Sequence, residues 1–254
     1  MAAPFSKLWG PGLGRVNITS HKLALEEGAQ PSYAQPYRAG PEKRRIIEEE
    51  IEKMLDLGVI EPTVSEWAAP VVLAPKPGGK WRFCVDYRRL NAVTKREVYP
   101  LPRLEDCIDS LGNAEWFSTL DANAGYWQIA MDEHDKAKTA FTAHCGTYQY
   151  LRMPFGLKNA PATFQRALDM ILAGYRWKSC LVYIDDVIVF SKTFDEHLEH
   201  VREVFEALAK SGITLKPSKC TLFSKTVDYL GHRVTPGRLE VALKNTEPLK
   251  RCPY

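Results

Sequence analysis

Apolar positions recur along this chain with two different periods. From Pro41 onward Ile46, Ile47, Ile51, Met54 and Leu55 keep helical spacing, while Lys43, Arg44, Glu48, Glu49 and Glu52 form a solvated opposite face. Pro41 suits the first helical position and Gly58 the C-terminal cap, so the pattern predicts a helix between them. A second helix opens at Thr193, with Glu196 three residues on completing a capping box. Phe194, Leu198, Val201, Val204, Phe205 and Leu208 are expected to line its buried side until Gly212. Helical spacing also covers Phe164, Ala167, Leu168, Ile171 and Leu172 after Pro161, and a short helix is expected over 102–111. Strand-like runs fall at 70–74 and 81–86, joined by the turn K-P-G-G-K into a hairpin with a basic tip. Others are W-F-S-T-L-D ending on Asp121, Y-W-Q-I-A-M, T-Y-Q-Y-L, and short pieces at 221–223 and 227–230. Residues 1–40 are rich in Gly and Pro and show no period, so they read as a linker or extended arm, with the folded part starting near Pro41.

The run C-L-V-Y-I-D-D-V-I-V-F-S (180–191) adds chemistry to this pattern. Two β-branched and aromatic strands flank an Asp-Asp pair that the pattern places at the tip of a tight turn, where Asn-Gly or Asp-Gly would be easier. Adjacent carboxylates beside an apolar sheet repel each other and lose hydration, which calls for a raised pKa or a bound cation. Taken alone, the pair also fits an acidic exposed turn, and Asp121 fits a cap at a strand end. Intermixed helices and hairpins give an α+β class, and the order around Asp121 and Asp185 resembles a split βαβ core. In such a core Asp121 would lie beside the Asp185–Asp186 tip, gathering three carboxylates on one rim. That donor set suits Mg²⁺ or Mn²⁺, and two such ions about 3.5–4 Å apart serve phosphoryl transfer.

Composition narrows the class only a little. With 254 residues and 45% hydrophobic content the chain is globular, one large domain or two small ones. The net charge of +3 is small, but Lys76–Arg103 holds eight basic residues against two acids, a candidate phosphate-binding face or a plain solvated one. Six cysteines without a C-x-x-C read as buried thiols in a reducing compartment. No run approaches the ~18 apolar residues of a membrane span, and no leader-like apolar stretch opens the chain, so a soluble intracellular protein without membrane contact is expected.

Five ordered stretches stand out: W-R-F-C-V-D-Y-R-R-L-N (81–91), F-S-T-L-D-A-N-A-G-Y-W-Q-I (117–129), L-R-M-P-F-G-L-K-N-A-P-A-T-F-Q-R (151–166), Y-I-D-D (183–186) and Y-L-G-H (229–232). They resemble the motifs of reverse transcriptases, in wording closest to gypsy-like long-terminal-repeat retrotransposons. The resemblance covers roughly residues 33–240. It implies the fingers and palm of a right-hand polymerase: an arm at 1–40, fingers at 41–95 and 129–159, palm at 96–128 and 160–235, and the start of a thumb at 236–254. It implies an RNA-directed DNA polymerase that extends a primer on an RNA or DNA template from deoxynucleoside triphosphates, with two Mg²⁺ ions, or Mn²⁺, on Asp121, Asp185 and Asp186.

The same resemblance makes Tyr126 the steric gate against the 2′-hydroxyl, sets Ala122, Phe155 and Gly156 at the nucleotide, and gives Arg82 with Lys76 or Lys80 to the triphosphate. Gly231 and His232 match the primer grip. Phe155 stands where retroviral enzymes carry glutamine, in keeping with the retrotransposon branch. The parent would be a Pol polyprotein with protease, RNase H and integrase, working in the cytoplasm or in virus-like particles with access to the nucleus. The chain is expected to stop at Cys252-Pro253-Tyr254, barely past the palm. A captured, non-catalytic relative that only binds nucleic acid or a protein is the alternative. The intact Asp121, Asp185 and Asp186 count against it, because a binding role gains nothing from clustered acids that repel phosphate.

Overall fold

The computed structural model describes residues 5–10 and 12–241. They sort into two compact units built from interleaved segments: the first from the described residues up to Arg15, Tyr99–Gly125 and the described residues from Phe164 onward, the second from Val16–Val98 and Tyr126–Thr163. In chain order the elements begin with β1 (Ser20–His21), α1 (Pro41–Asp56), β2 (Ile60–Pro62), β3 (Ala69–Pro75), β4 (Trp81–Val85) and α2 (Arg88–Val93). Next come α3 (Leu104–Asp109), β5 (Trp116–Asp121), β6 (Ala130–Met131), β7 (Phe141–Ala143), β8 (Gly146–Tyr150) and α4 (Ala160–Ile171). The chain continues through β9 (Cys180–Tyr183), β10 (Asp186–Ser191), α5 (Phe194–Ser211), β11 (Thr221–Ser224), β12 (Val227–Tyr229), β13 (His232–Thr235) and β14 (Arg238–Val241).

The first unit is organised by a four-stranded sheet in the order β11-β5-β10-β9, with β5 antiparallel to both neighbours. Since the chain runs β5, α4, β9, β10, α5, β11, this is the split βαβ arrangement expected of the sequence, and the class is α+β. Side chains alternate across β5. Phe117 joins Leu181 and Ile188 in a buried cluster with Cys107, Leu111, Val227, Tyr229 and Val234, while Ser118 points to the other face and meets His197 of α5. Thr193 caps α5 with a full capping box and Gly212 closes it in the left-handed region.

In the second unit the strand order is β2-β8-β7-β3-β4. Phe141 is fully buried there, with the rings of Phe83, Tyr148 and Tyr150 at 5.7, 5.7 and 5.4 Å. α1 starts at Pro41 and buries Ile47, Ile51 and Met54; Gly58 follows it at φ +61°.

Several expectations change. Folding does not start near Pro41: Phe5, Leu8, Val16 and Leu23 are buried, Leu8 O accepts from Leu215 N–H at 2.8 Å, and Val16 N–H donates to Gln128 O at 2.8 Å. These are single anchoring bonds without periodicity, so no pattern marked them. The run Y-W-Q-I-A-M is a 3-10 turn over Gly125–Gln128 followed by the two-residue β6. On α5, Phe194 and Leu198 stay exposed and His197 takes a fully buried place. Of the cysteines expected to be buried, Cys107 and Cys180 are, Cys84 and Cys220 are half-buried, Cys145 is exposed, and Cys252 lies outside the described residues. Of the stretch expected to start a thumb, residues 238–241 form β14 beside β13, and 242–254 lie outside the described residues. Among the described residues no helix is long and apolar enough to cross a membrane.

Candidate active site

Asp121 ends β5 and Asp186 begins β10, and the ladder sets them directly opposite each other. Register also corrects the turn. Asp186 pairs with Tyr183, so the two residues at the tip are Ile184 and Asp185, and Asp186 belongs to the strand. Ile184 lies at φ +51°. A two-residue hairpin wants positive φ at its first tip position and normally places glycine there, whereas a β-branched residue is strained by roughly 1–3 kcal/mol.

That strain is anchored by Gln165 of α4, which is fully buried. Its Oε1 accepts the Ile184 N–H at 2.6 Å and its Nε2 donates to Val182 O at 3.1 Å. The sequence motif contains this glutamine, but its role went unread; the available signal was a polar residue beside Phe164 on a helix that buries Phe164 and Leu168.

Electrostatics mark the same spot. The Asp185 carboxyl is pushed up to about 6, first by desolvation and then by the charges of Asp186 and Asp121. Asp186 is raised by desolvation and by Asp121. Both residues keep an open side toward solvent. Lys219 relieves the repulsion: its Nζ sits 2.9 Å from Asp121 Oδ2 and lowers both neighbours. It arrives on the 3-10 turn Pro217–Lys219, tied down by Lys216 N–H to Asp121 O at 2.9 Å and by the bridge between Ala122 and Leu215. No local sequence signal marks Lys219 for this site, because nearly a hundred residues separate it from Asp121.

Among the described residues no three His, Cys, Asp or Glu side chains converge as a finished cation cage. The donors present nevertheless fit a hard divalent ion: all are carboxylate oxygens, mutually repelling, and an ammonium already stands in as counter-charge.

Gly231 and His232 lie in the first unit on the β12–β13 hairpin. Its two tip residues, Leu230 and Gly231, have φ +48° and +80°, the positive pair that a tight type I′ turn requires. Tyr229, just before the turn, shares a buried cluster with Leu181 and Ile188 of the two strands that carry the Asp185–Asp186 hairpin.

The remaining candidates belong to the second unit. Tyr126 is 8% exposed and stacks on Phe155 with ring centroids 5.0 Å apart, while the Phe155 ring is 51% exposed. Gly156 follows at φ +93°, its carbonyl accepting from Asn91 Nδ2 at 2.8 Å. Lys76, Lys80 and Arg82 are exposed on the β3–β4 hairpin, whose turn closes through Lys76 N–H to Lys80 O at 2.7 Å.

Residues 74–234 match the sequence profile of the family described as reverse transcriptase (RNA-dependent DNA polymerase). The chain is 39% identical over 232 residues to the retrovirus-related Pol polyprotein from transposon 297 of Drosophila melanogaster, covering 89% of the chain and 22% of that polyprotein. It is 38% identical over 256 residues to the Pol polyprotein from transposon opus of the same fly, covering 98% and 26%. The chain thus spans about a quarter of the length of these relatives. In fold it is similar to a foamy viral protease-reverse transcriptase solved in complex with RNA/DNA hybrid, with a TM-score of 0.89 at 23% identity, covering 100% of this chain and 34% of that one.

Proposed function

Because the chain belongs to the reverse transcriptase family, we propose that it extends a primer strand along an RNA or DNA template by adding deoxynucleotides. The observation that carries the reading is the meeting of Asp121 and Asp186 across one sheet end, with Asp185 beside them in an anchored, strained turn. A structural role would not accumulate like charges there; a phosphoryl-transfer site needs them. Asp121, Asp185 and Asp186 would hold Mg²⁺, or Mn²⁺, as a pair of ions, which when bound supply charge for the attacking 3′-hydroxyl and the departing pyrophosphate.

The chain's own groups divide the rest of the work. The first unit acts as palm and the second as fingers. Gly231 and His232, on a rigid turn, hold the primer end, and Ala122, fixed against Leu215, lines the nucleotide. In the second unit Tyr126, stiffened by its stack on Phe155, excludes a 2′-hydroxyl, and Arg82 with Lys76 or Lys80 binds the triphosphate as exposed cations. The foamy viral structure with RNA/DNA hybrid supports a nucleic-acid duplex as substrate. The Pol polyprotein relatives support a polyprotein parent.

Primer extension with Asp185→Asn is the test. The substitution keeps volume and removes a charged oxygen donor, so extension should fall by at least about a thousandfold while the fold persists. Undiminished extension by the variant would sink the assignment.

A further inference from the structure

A buried polar network behind the turn is not used by the reading above. Asp169 of α4 has a side chain only 6% exposed, with Arg176 Nη1 3.0 Å from its Oδ2. The same Oδ2 accepts from Tyr99 Oη at 2.7 Å, and Oδ1 accepts from Gln165 Nε2 at 2.9 Å. Burying a carboxylate is costly unless it is fully paired, and three donors from three separate parts of the first unit pair this one.

The chemistry of Gln165 gives this arrangement a consequence. A side-chain amide has one accepting end and one donating end, of nearly the same shape, and its neighbours decide which way it faces. A carboxylate only accepts, as does the Val182 carbonyl, so Asp169 and Val182 both face the NH₂ end of Gln165. The carbonyl oxygen is then left for the Ile184 N–H, where it is needed. Were the amide reversed, its NH₂ would confront that backbone N–H, donor against donor, and the positive φ of Ile184 would lose its anchor. Tyr99 is suited to hold the carboxylate: burial and the Asp169 charge push its phenol up to about 12, so it stays a donor at working pH.

We propose that Asp169, held by Tyr99 and Arg176, is a positioning residue for the catalytic turn: together with the Val182 carbonyl it fixes the orientation of the Gln165 amide and, through it, the backbone at Ile184 from which Asp185 and Asp186 are presented. The proposal rests on the polymerase reading of those aspartates, and its test has one arm that needs no activity.

The variants are Asp169→Asn, Tyr99→Phe, Gln165→Met and the double variant Asp169→Asn with Gln165→Met. In amide hydrogen exchange, Asp169→Asn should speed exchange at Ile184 by about tenfold or more and Tyr99→Phe by severalfold, with Val204 in α5 unchanged as internal reference. In single-nucleotide incorporation, Asp169→Asn should lower kcat about tenfold with KM moved by less than about twofold, the signature of misplaced groups and not of lost substrate binding. The double variant should be no slower than Gln165→Met alone, since Asp169 acts through Gln165. Unchanged exchange at Ile184 in the folded single variants, or losses in kcat that simply multiply, would overturn the proposal. If Asp169→Asn fails to fold, Tyr99→Phe still decides through exchange. If the unmodified chain incorporates nothing, the polymerase reading fails while exchange still decides the network.

Discussion

Acid should loosen the first unit through one histidine. His197 is fully buried; its Nε2 lies 2.7 Å from Ser118 Oγ and its Nδ1 2.9 Å from Ser191 Oγ. Burial, with a smaller push from His200, lowers its pKa from 6.5 to about 4. A histidine depressed in the folded state contributes stability that is present above its unfolded value and lost as pH falls toward and through the folded one. The full difference corresponds to about 3 kcal/mol. Between about pH 7 and about pH 4.5 roughly 2 kcal/mol of it should disappear. His197→Gln removes the titration and keeps a polar contact, so it should be less stable near neutrality by about 1–3 kcal/mol yet lose less on acidification. Urea unfolding at both pH values, followed by tryptophan fluorescence, gives a double difference in which the Asp185 titration cancels. Parallel losses in the two proteins would refute the reasoning, as would a His197 imidazole titrating near 6.5 in the folded chain by NMR.

Two further outcomes follow from close geometry. Gly125→Ala should destabilise by about 1–3 kcal/mol, because a Cβ there would lie 2.7 Å from Phe164 Cζ; Phe164→Leu should recover part of the loss in the double variant, measured by denaturant midpoint. Lys219→Met removes the cation that lowers Asp185 and Asp186, so both carboxyls should titrate at higher pH than in the unmodified chain, and an unmoved carboxyl NMR titration would show that Lys219 does not reach them.

How much of this was legible in the sequence depended on whether the cause was local. The capping box at Thr193, the helical start at Pro41 and the apolar run ending on Asp121 are local signals, and each element formed as read. The pairing of Asp121 with Asp186 was also accessible, because the split βαβ order fixes which strand ends meet. The tip of the hairpin was misplaced by one residue, since cross-strand register and not the D-D dipeptide decides it, and nothing near Ile184 announces positive φ. Gln165, Asp169 and Lys219 were silent for a related reason: a polar residue that serves a distant backbone group looks, in sequence, like any polar residue on a helix or loop. His197 is buried on α5, where Phe194 is not, because Ser118 and Ser191 offer the imidazole a buried partner on each ring nitrogen.

The strand that ends in Asp121 has a further consequence for how the protein is made. Both neighbours of β5, namely β10 and β11, lie downstream of it, and all of Tyr126–Thr163 is translated before either. Asp186 follows Asp121 by about 65 residues, so at ~5–20 residues per second β5 waits roughly 3–13 s for its first partner. The second unit, by contrast, has its last segment in hand at Thr163. The order of synthesis therefore lets the second unit close first, and the strand bearing Asp121 is for those seconds an unpaired apolar edge, the kind of surface that nascent-chain chaperones cover.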